Sequence, residues 1–461
     1  MRWDVAGVVA ATGGTSTGGA PTGGAPTAGA AAGFEAVTTD SRRVPPGSLF
    51  VPIRAARDGH DFVAAAVTAG AAGYLVEAGH PLASAPVAGA TAVVVADTAR
   101  ALLDLGRAAR ARLRGPVVGI TGSVGKTSTK DLLATALGER WRVTASEQSF
   151  NNELGVPLTL ANAAEDTEVA VIEMGARGIG HIALLCDVAR PTVGIVTAVA
   201  AVHTELLGSL EGVQRAKSEL PEALPADGTA VLNADDPRVD AMGARTVARV
   251  LRYSAAGAPG ADVTAESVVI GEDLRPRFRL ASAWGSAGVT LAARGAHQVG
   301  NALAAAGAAL ACGTPLEAVV AGLERGVLSH WRMELTRTPA GATVVNDAYN
   351  ANPASVAAAL RALAALPARR RLAVLGEMAE LGPEGPAEHR AVAALAAELG
   401  IELHAVATAA YGVAPLAGGT DDPAAVVAAL GALGAGDAVL VKGSRVTGLE
   451  RVAAALATPG A

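Results

Sequence analysis

Short apolar runs that end on glycine or a polar residue recur along this chain: VVGITGS, VAVIEMG, VGIVTAV, AVLNADD, TVVNDAYN, LAVLGEM and AVLVKGS. Alanine-rich stretches of helical character separate them. Strands alternating with helices predict parallel sheets, so the expected fold class is α/β. In such folds ligands gather beyond the C-terminal edges of the strands. The polar residues that close the runs are therefore the first places to look for chemistry.

Three stretches depart from the pattern. Residues 11–33 repeat T-G-G-A-P with no charge and no aromatic ring, which reads as a flexible low-complexity insertion with too little apolar surface to order itself, and no function is assigned to it. Residues 298–316 are uncharged but carry Asn301, Gly307 and Gly313 among many alanines, so a buried amphipathic helix explains them better than a membrane span. Residues 1–11 place Arg2 before a short apolar run. That run is minimal for an export signal and Asp4 interrupts its basic start, so a cytoplasmic protein without stable membrane insertion is expected.

A length of 461 residues exceeds one ordinary core and suits several domains. Shifts in composition divide the chain into a small α/β unit over 1–97, a central domain over 98–328 that opens near the basic stretch 107–114, and a third domain over 329–461, starting just before HWRMEL. The turn-rich SAAGAPGAD reads as a connection inside the central domain. A hydrophobic fraction of 51% with 17% charged residues describes a soluble globular protein, and a net charge of -6 with 3% aromatics argues against a nucleic-acid partner. Cys186 and Cys312 have no metal-ligand spacing and sit among apolar residues, as buried small hydrophobes in a reducing compartment do.

The strongest local signal is GITGSVGKTSTK, beginning at Gly119. An apolar run leads into a glycine-studded turn, and Lys126, Thr127 and Lys130 then open a helix: strand, loop, helix. Glycines let backbone N–H groups converge on phosphate oxygens, the helix N-terminus adds positive potential, Lys126 can reach the outer phosphates and the Thr127 hydroxyl can hold Mg²⁺. The full nucleotide-loop pattern wants a further glycine where Ile120 stands, leaving G-x-x-G-K-T. A tight turn before a helix is the plain alternative; the readable strand and helix on either side favour phosphate.

Other candidates carry weaker signals. Glu173 ends VAVIE, where a carboxylate can ligate Mg²⁺ as the acidic residue of phosphate-loop proteins does, or can be a surface glutamate. His203 in AAVHTELLG follows another strand, and a lone histidine is more often structural. Lys217 reads, on its own residues, as a solvated helix lysine. Asn301 heads an alanine helix and is equally readable as its N-terminal cap. NDAYNANP, residues 346–353, packs an acid, a phenol and three amides after a strand and ends in a proline that can open a helix, a dense loop for binding or ordinary turn chemistry. Lys442 and Arg445 of KGSR follow the last strand, where they either meet an anionic substrate or form a solvated basic turn.

Together these segments resemble the Mur ligase family, and within it the branch that adds a dipeptide. The likeness runs through TTDSRRVPPGSLFVPI, GSVGKTSTK, NNELGVPLTL, EMGARGIGHI, GSLEGVQRAKSEL, LNADD, GNALAAA, YNANP and KGSR. This family resembles the shortened G-x-x-G-K-T loop, and YNANP is the most specific piece. The resemblance implies three domains: a small α/β N-terminal domain, a central parallel-sheet ATP-binding domain and a Rossmann-like C-terminal domain. It implies ATP and Mg²⁺ as cofactors, UDP-N-acetylmuramoyl-tripeptide and D-alanyl-D-alanine as partners, and a monomer.

Carried over by position, the resemblance gives Gly122, Ser123, Gly125, Lys126, Thr127 and Ser128 to the phosphates, Asn301 to adenine, Arg332 to the phosphates and Asp347 to ribose. Thr127 and Glu173 would hold one Mg²⁺ and His203 would join Glu173 at a second. Lys217 matches a lysine carbamylated in several members. Ser41 and Arg42 would bind the UDP end and Asn151 and Asn152 the muramoyl peptide. Tyr349, Asn350 and Asn352 would line the dipeptide side, with Lys442 and Arg445 close by. Val124, Thr204, Gln298 and Asn346 depart from residues common in the family, the last within the third-domain loop. The implied reaction is ATP-driven amide formation through an acyl phosphate. A related ligase, adding a single amino acid or of the folylpolyglutamate type, is the nearest rival; a phosphotransferase and a nucleotide-binding regulatory subunit are more distant ones.

Overall fold

The structure, a computed structural model, describes residues 1–17, 33–147, 150–200, 207–417 and 419–458. The apolar runs are strands: Val117–Thr121, Val169–Glu173, Val193–Val196, Thr229–Asn233, Thr343–Asn346, Arg370–Leu375 and Asp437–Lys442. Most of their residues are buried, which is why they read as continuous rather than alternating apolar runs: parallel strands are covered on both faces. The α/β class expected from the alternation is present.

The chain divides into two units, one made of Met1–Gly119, Trp141–Gly175 and His181–Thr192, the other of Ile120–Arg140, Ala176–Gly180 and Val193–Ala461. In the first, a five-stranded sheet runs in the order Thr15–Thr17, Thr91–Val95, Gly73–Glu77, Leu49–Phe50, Val37–Thr38, parallel except for the first strand. Val169–Glu173 pairs in parallel with Val143–Ala145 in the same unit.

In the second unit, Val193–Val196, Thr229–Asn233, Arg249–Ser254 and Val263–Ile270 run parallel, and Pro276–Ser282 and Gly285–Thr290 extend them antiparallel. A further five-stranded sheet has the order Glu334–Arg337, Thr343–Asn346, Asp437–Lys442, Arg370–Leu375, Glu402–Ala405, with only the first strand antiparallel. Its register pairs Asn346 with Val441 and Leu375 with Lys442. The loops after these three strands therefore leave one edge side by side.

The helix expected near residue 298 spans Gln298–Ala311 and is buried along most of its length. A Cβ at Gly307 would stand 2.9 Å from Leu251 Cδ2, so a larger residue here would push the Leu251 side chain aside. Among the described residues no helix is long and apolar enough to cross a membrane.

The low-complexity insertion is shorter than its composition suggests. Ala11 and Thr12 finish the helix Val5–Thr12, Gly13 closes it in the left-handed region (φ 65°), and Thr15–Thr17 pairs with residues of Thr91–Val95. An edge strand needs only backbone hydrogen bonds from one neighbour, so a Thr/Ser run without apolar side chains can serve. Asp4, read as interrupting a signal, is the N-cap of that helix: its carboxylate accepts the Gly7 N–H at 2.6 Å. Residues 18–32 of the insertion lie outside the described residues.

Candidate active site

The strand Val117–Thr121 delivers the chain to a turn in which Gly122 has φ 151° and Gly125 φ 84°. Gly125 is the N-cap of the helix Lys126–Gly138. Both glycines are required twice over. The backbone lies where L-residues are strained, and a Cβ would collide with Thr197 Oγ1 at Gly122 or with Asn301 Oδ1 at Gly125. Neighbouring strand ends hold the turn: Ser123 N donates to Ala198 O at 2.8 Å, Ser123 Oγ donates to Ala200 O at 3.0 Å, and Thr197 Oγ1 donates to Val124 O at 2.5 Å. Ser123 thus spends its hydroxyl on the scaffold. Lys126 Nζ donates to Gly122 O at 2.5 Å, and Thr127 and Ser128 are buried in the first turn of the helix.

Lys217 lies on the helix Leu210–Glu222 and is buried, against the solvated reading of its sequence context. Burial pushes its ammonium well below the ordinary lysine value, and the charge of nearby Lys126 lowers it further. Asn301 is not a cap. It is the fourth residue of Gln298–Ala311, which starts without a side-chain cap. Its Nδ2 donates to Gln298 Oε1 at 2.8 Å, and its Oδ1 accepts from Thr129 Oγ1 at 3.4 Å beside Gly125. It braces the turn from outside.

In the other unit Glu173, 1% exposed, ends its strand as expected. Its Oε1 accepts from Asn151 Nδ2 at 2.8 Å. Asn151 is itself held, its carbonyl accepting the Gly175 N–H at 2.7 Å. Asn152 Oδ1 accepts the Gly155 and Leu154 N–H groups at 2.9 and 3.3 Å, holding the turn that leads into the helix Gly155–Ala161. Arg42 is exposed and grips Asp40 with two bonds of 2.8 and 2.9 Å, beside Ser41 in the same turn. The Arg42 side chain and backbone together hold the Asp40 carboxyl down to about 2. His203 lies outside the described residues.

The loop 347–352 leaves Thr343–Asn346 and ends where Asn352 caps Pro353–Ala365. The asparagine oxygen accepts the Ser355 N–H at 2.9 Å while Ser355 Oγ accepts the Asn352 N–H at 3.1 Å, with Pro353 in the first turn. Proline does open a helix here. Asn350 Oδ1 accepts the Ala351 N–H at 2.9 Å. The Arg332 guanidinium stacks 4.3 Å over the Tyr349 ring, and its buried Nε has no hydrogen-bond partner among the described residues. Arg332 is flanked by Trp331 and Met333, both with positive φ (61° and 52°).

Lys442 is not part of a solvated turn. It is 3% exposed, and its ammonium donates to Asp347 Oδ2 at 2.5 Å, Asn350 O at 2.9 Å and Asp347 O at 3.4 Å. Arg445 stacks 4.4 Å over Trp331 and pairs with Glu450 at 2.8 Å. Three contributors escape the sequence reading: Thr197, Trp331 and Ser444. Thr197 could have been found, because it closes VGIVT as Glu173 closes VAVIE; the other two carry no local signal.

The chain matches the Mur ligase middle domain over residues 120–309 and the Mur ligase, glutamate ligase domain over residues 331–445. It is 42% identical to the UDP-N-acetylmuramoyl-tripeptide--D-alanyl-D-alanine ligase of Mycobacterium tuberculosis, over 91% of either chain. Among solved structures it is similar to MurF from Acinetobacter baumannii, with TM-score 0.84, 28% identity and 99% of each chain covered. It also resembles a MurF ligase from Thermotoga maritima in complex with ADP, with TM-score 0.78, 26% identity, and 90% of this chain and 96% of that one covered.

Proposed function

Because the chain belongs to the Mur ligase family, we propose that it is an ATP-dependent, ADP-forming ligase that joins D-alanyl-D-alanine to UDP-N-acetylmuramoyl-tripeptide in peptidoglycan precursor synthesis. The observation that carries the reading is the turn at residues 122–127, where backbone N–H groups, a helix N-terminus and Lys126 converge next to the buried Lys217. Glycine-rich backbone, the helix N-terminus and a lysine at one turn are the combination that suits the phosphates of a nucleotide.

The chemistry follows from what must be overcome. A carboxylate is a poor acyl donor because its oxygen leaves badly; phosphorylation by ATP converts it to an acyl phosphate, which the neutral amine of the dipeptide attacks through a tetrahedral intermediate with release of phosphate. Lys126 stabilises charge developing on the transferred phosphoryl group. Arg332, whose orphaned Nε awaits an acceptor, is suited to the same anion. Asp347 would hold ribose and Asn301 the adenine side, while Ser123 and Ser128 frame the turn. Tyr349, Asn350 and Asn352 would line the dipeptide side with Arg445, and Asn151, Asn152, Ser41 and Arg42 would hold the nucleotide-sugar peptide. Domains 1–97, 98–328 and 329–461 would divide these tasks, and the enzyme would work as a cytoplasmic monomer.

Mg²⁺ takes hard oxygen ligands, and by position in the family the Thr127 hydroxyl and the Glu173 carboxylate would supply them, with His203 serving a second ion. Lys217 fits only once carbamylated, and its lowered basicity favours the neutral amine which that addition needs. Mg²⁺ bound there would offset the repulsion between an anionic nucleophile and ATP.

The test is phosphate release by the purified chain with each substrate omitted in turn. Release that requires both the UDP-tripeptide and the dipeptide, with a joined product, supports the ligase. Full ATP hydrolysis with neither present, or failure to join them, overturns it. Offering single amino acids or folate acceptors separates the related ligases, and phosphate retained on the product marks a phosphotransferase.

A further inference from the structure

The geometry points to Lys442 and Ser444 as positioning residues that bind three loops of the C-terminal sheet into one platform, rather than as contacts for substrate. The inference rests on the ligase reading above.

The sheet register brings the ends of Thr343–Asn346, Asp437–Lys442 and Arg370–Leu375 side by side. Loops leaving such an edge have no ladder to fix them, so their conformation must come from side chains. Lys442 supplies the first tie. Its three donors are matched by three acceptors: the Asp347 carboxylate and the carbonyls of Asp347 and Asn350. One ammonium thereby closes the turn 347–350 from within. The Asp347 N–H donating to Val441 O at 2.9 Å carries the ladder one residue past the strand.

Ser444 supplies the second tie. Its N–H donates to Glu377 O at 3.0 Å, its Oγ accepts the Ala379 N–H at 2.8 Å, and the same hydroxyl reaches Ala351 O at 3.4 Å. It is 4% exposed. The loops after all three strands therefore meet at one hydroxyl. On the far side, buried His389 receives the Met378 N–H on Nε2 at 3.0 Å, while its Nδ1 donates to Gly385 O at 2.7 Å, so the middle loop is held from both ends.

An ammonium with its donors spent and its charge answered by Asp347 has little left to offer a substrate anion. What it sets is where Asp347, on the nucleotide side, and Tyr349 and Asn350, on the dipeptide side, stand relative to one another. One lysine thus couples the placement of two substrates' contacts.

The experiment is steady-state kinetics on the full chain, varying each of the three substrates. Wild-type joining activity tests the ligase reading by itself; only if that holds do the variants speak to this inference. Lys442→Met should raise the KM values for ATP and for the dipeptide together, about tenfold each, and leave that for the UDP-tripeptide within about twofold. Ser444→Ala should raise the dipeptide KM about three- to tenfold. A rise confined to one substrate on Lys442→Met marks a direct contact and overturns the inference, as does an unchanged dipeptide KM in Ser444→Ala. Should Lys442→Met fail to fold, the Ser444→Ala result decides.

Discussion

The turn at residues 122–127 and the loops at residues 347–352 and 443–445 both sit at C-terminal ends of parallel strands, and both are built around lysines. They treat charge in opposite ways. At the first, the charge of Lys126 lies close enough to the buried Lys217 to weaken that amine's hold on its proton. At the second, Lys442 is answered by Asp347 at 2.5 Å and by two carbonyls. A lysine at a helix N-terminus suits an anion; a lysine whose charge is cancelled positions the loops around it. Lysine at a strand end is common to both and distinguishes neither.

The contrast predicts unlike responses to removing each lysine. Lys126→Ala should cost about 10²–10³-fold in kcat, by loss of charge stabilisation at the phosphoryl group, with an unfolding midpoint close to wild type in a urea titration. A large loss of stability instead would make Lys126 part of the scaffold. Lys442→Met should act the other way round, lowering stability by about 3 kcal/mol because it strands the partly buried Asp347 carboxylate, measured in the same titration.

Lys217→Met should stabilise the fold by about 1–2 kcal/mol, since a desolvated amine gives way to an apolar chain of similar volume, while lowering turnover. Its pH dependence has a definite sign. Folding lowers the lysine's pKa, so below the unfolded value near 10.5 the unfolded chain holds a proton that the folded chain binds more weakly, and stability rises with pH towards that value. Thermal unfolding at increasing pH should show a rise in the wild type that is flattened in Lys217→Met; equal slopes would place the charge elsewhere. The smallest effect belongs to the exposed pair in the first unit. Asp40 should titrate at about 2 by carboxyl NMR and return towards an ordinary aspartate value in Arg42→Ala.

Legibility differed in kind between these places. Local rules exposed the glycine turn, because Gly122 and Gly125 answer to backbone angles that residue type restricts. They likewise exposed the helix opened by Pro353. They left Asn301 open between a ligand contact and a helix cap, and the structure makes it no cap but the fourth residue of its helix, bonded to Gln298 and Thr129. They failed at residues 11–17, because an edge strand draws its hydrogen bonds from a partner far along the chain, Thr15 facing Val94. The resemblance to a known family proposed a role for Lys217 that its local sequence does not signal.

The succession of strands, helices and glycine turns was settled by the order of residue types, since each depends on backbone preferences and on apolar periods a few residues long. The ionic character of Lys126, Lys217 and Lys442 was settled only by the fold. Burial and pairing are properties of atoms brought together from distant parts of the chain: Lys442 meets an acid 95 residues away, and Lys217 loses its water to helices and strands that its own neighbours in sequence do not specify.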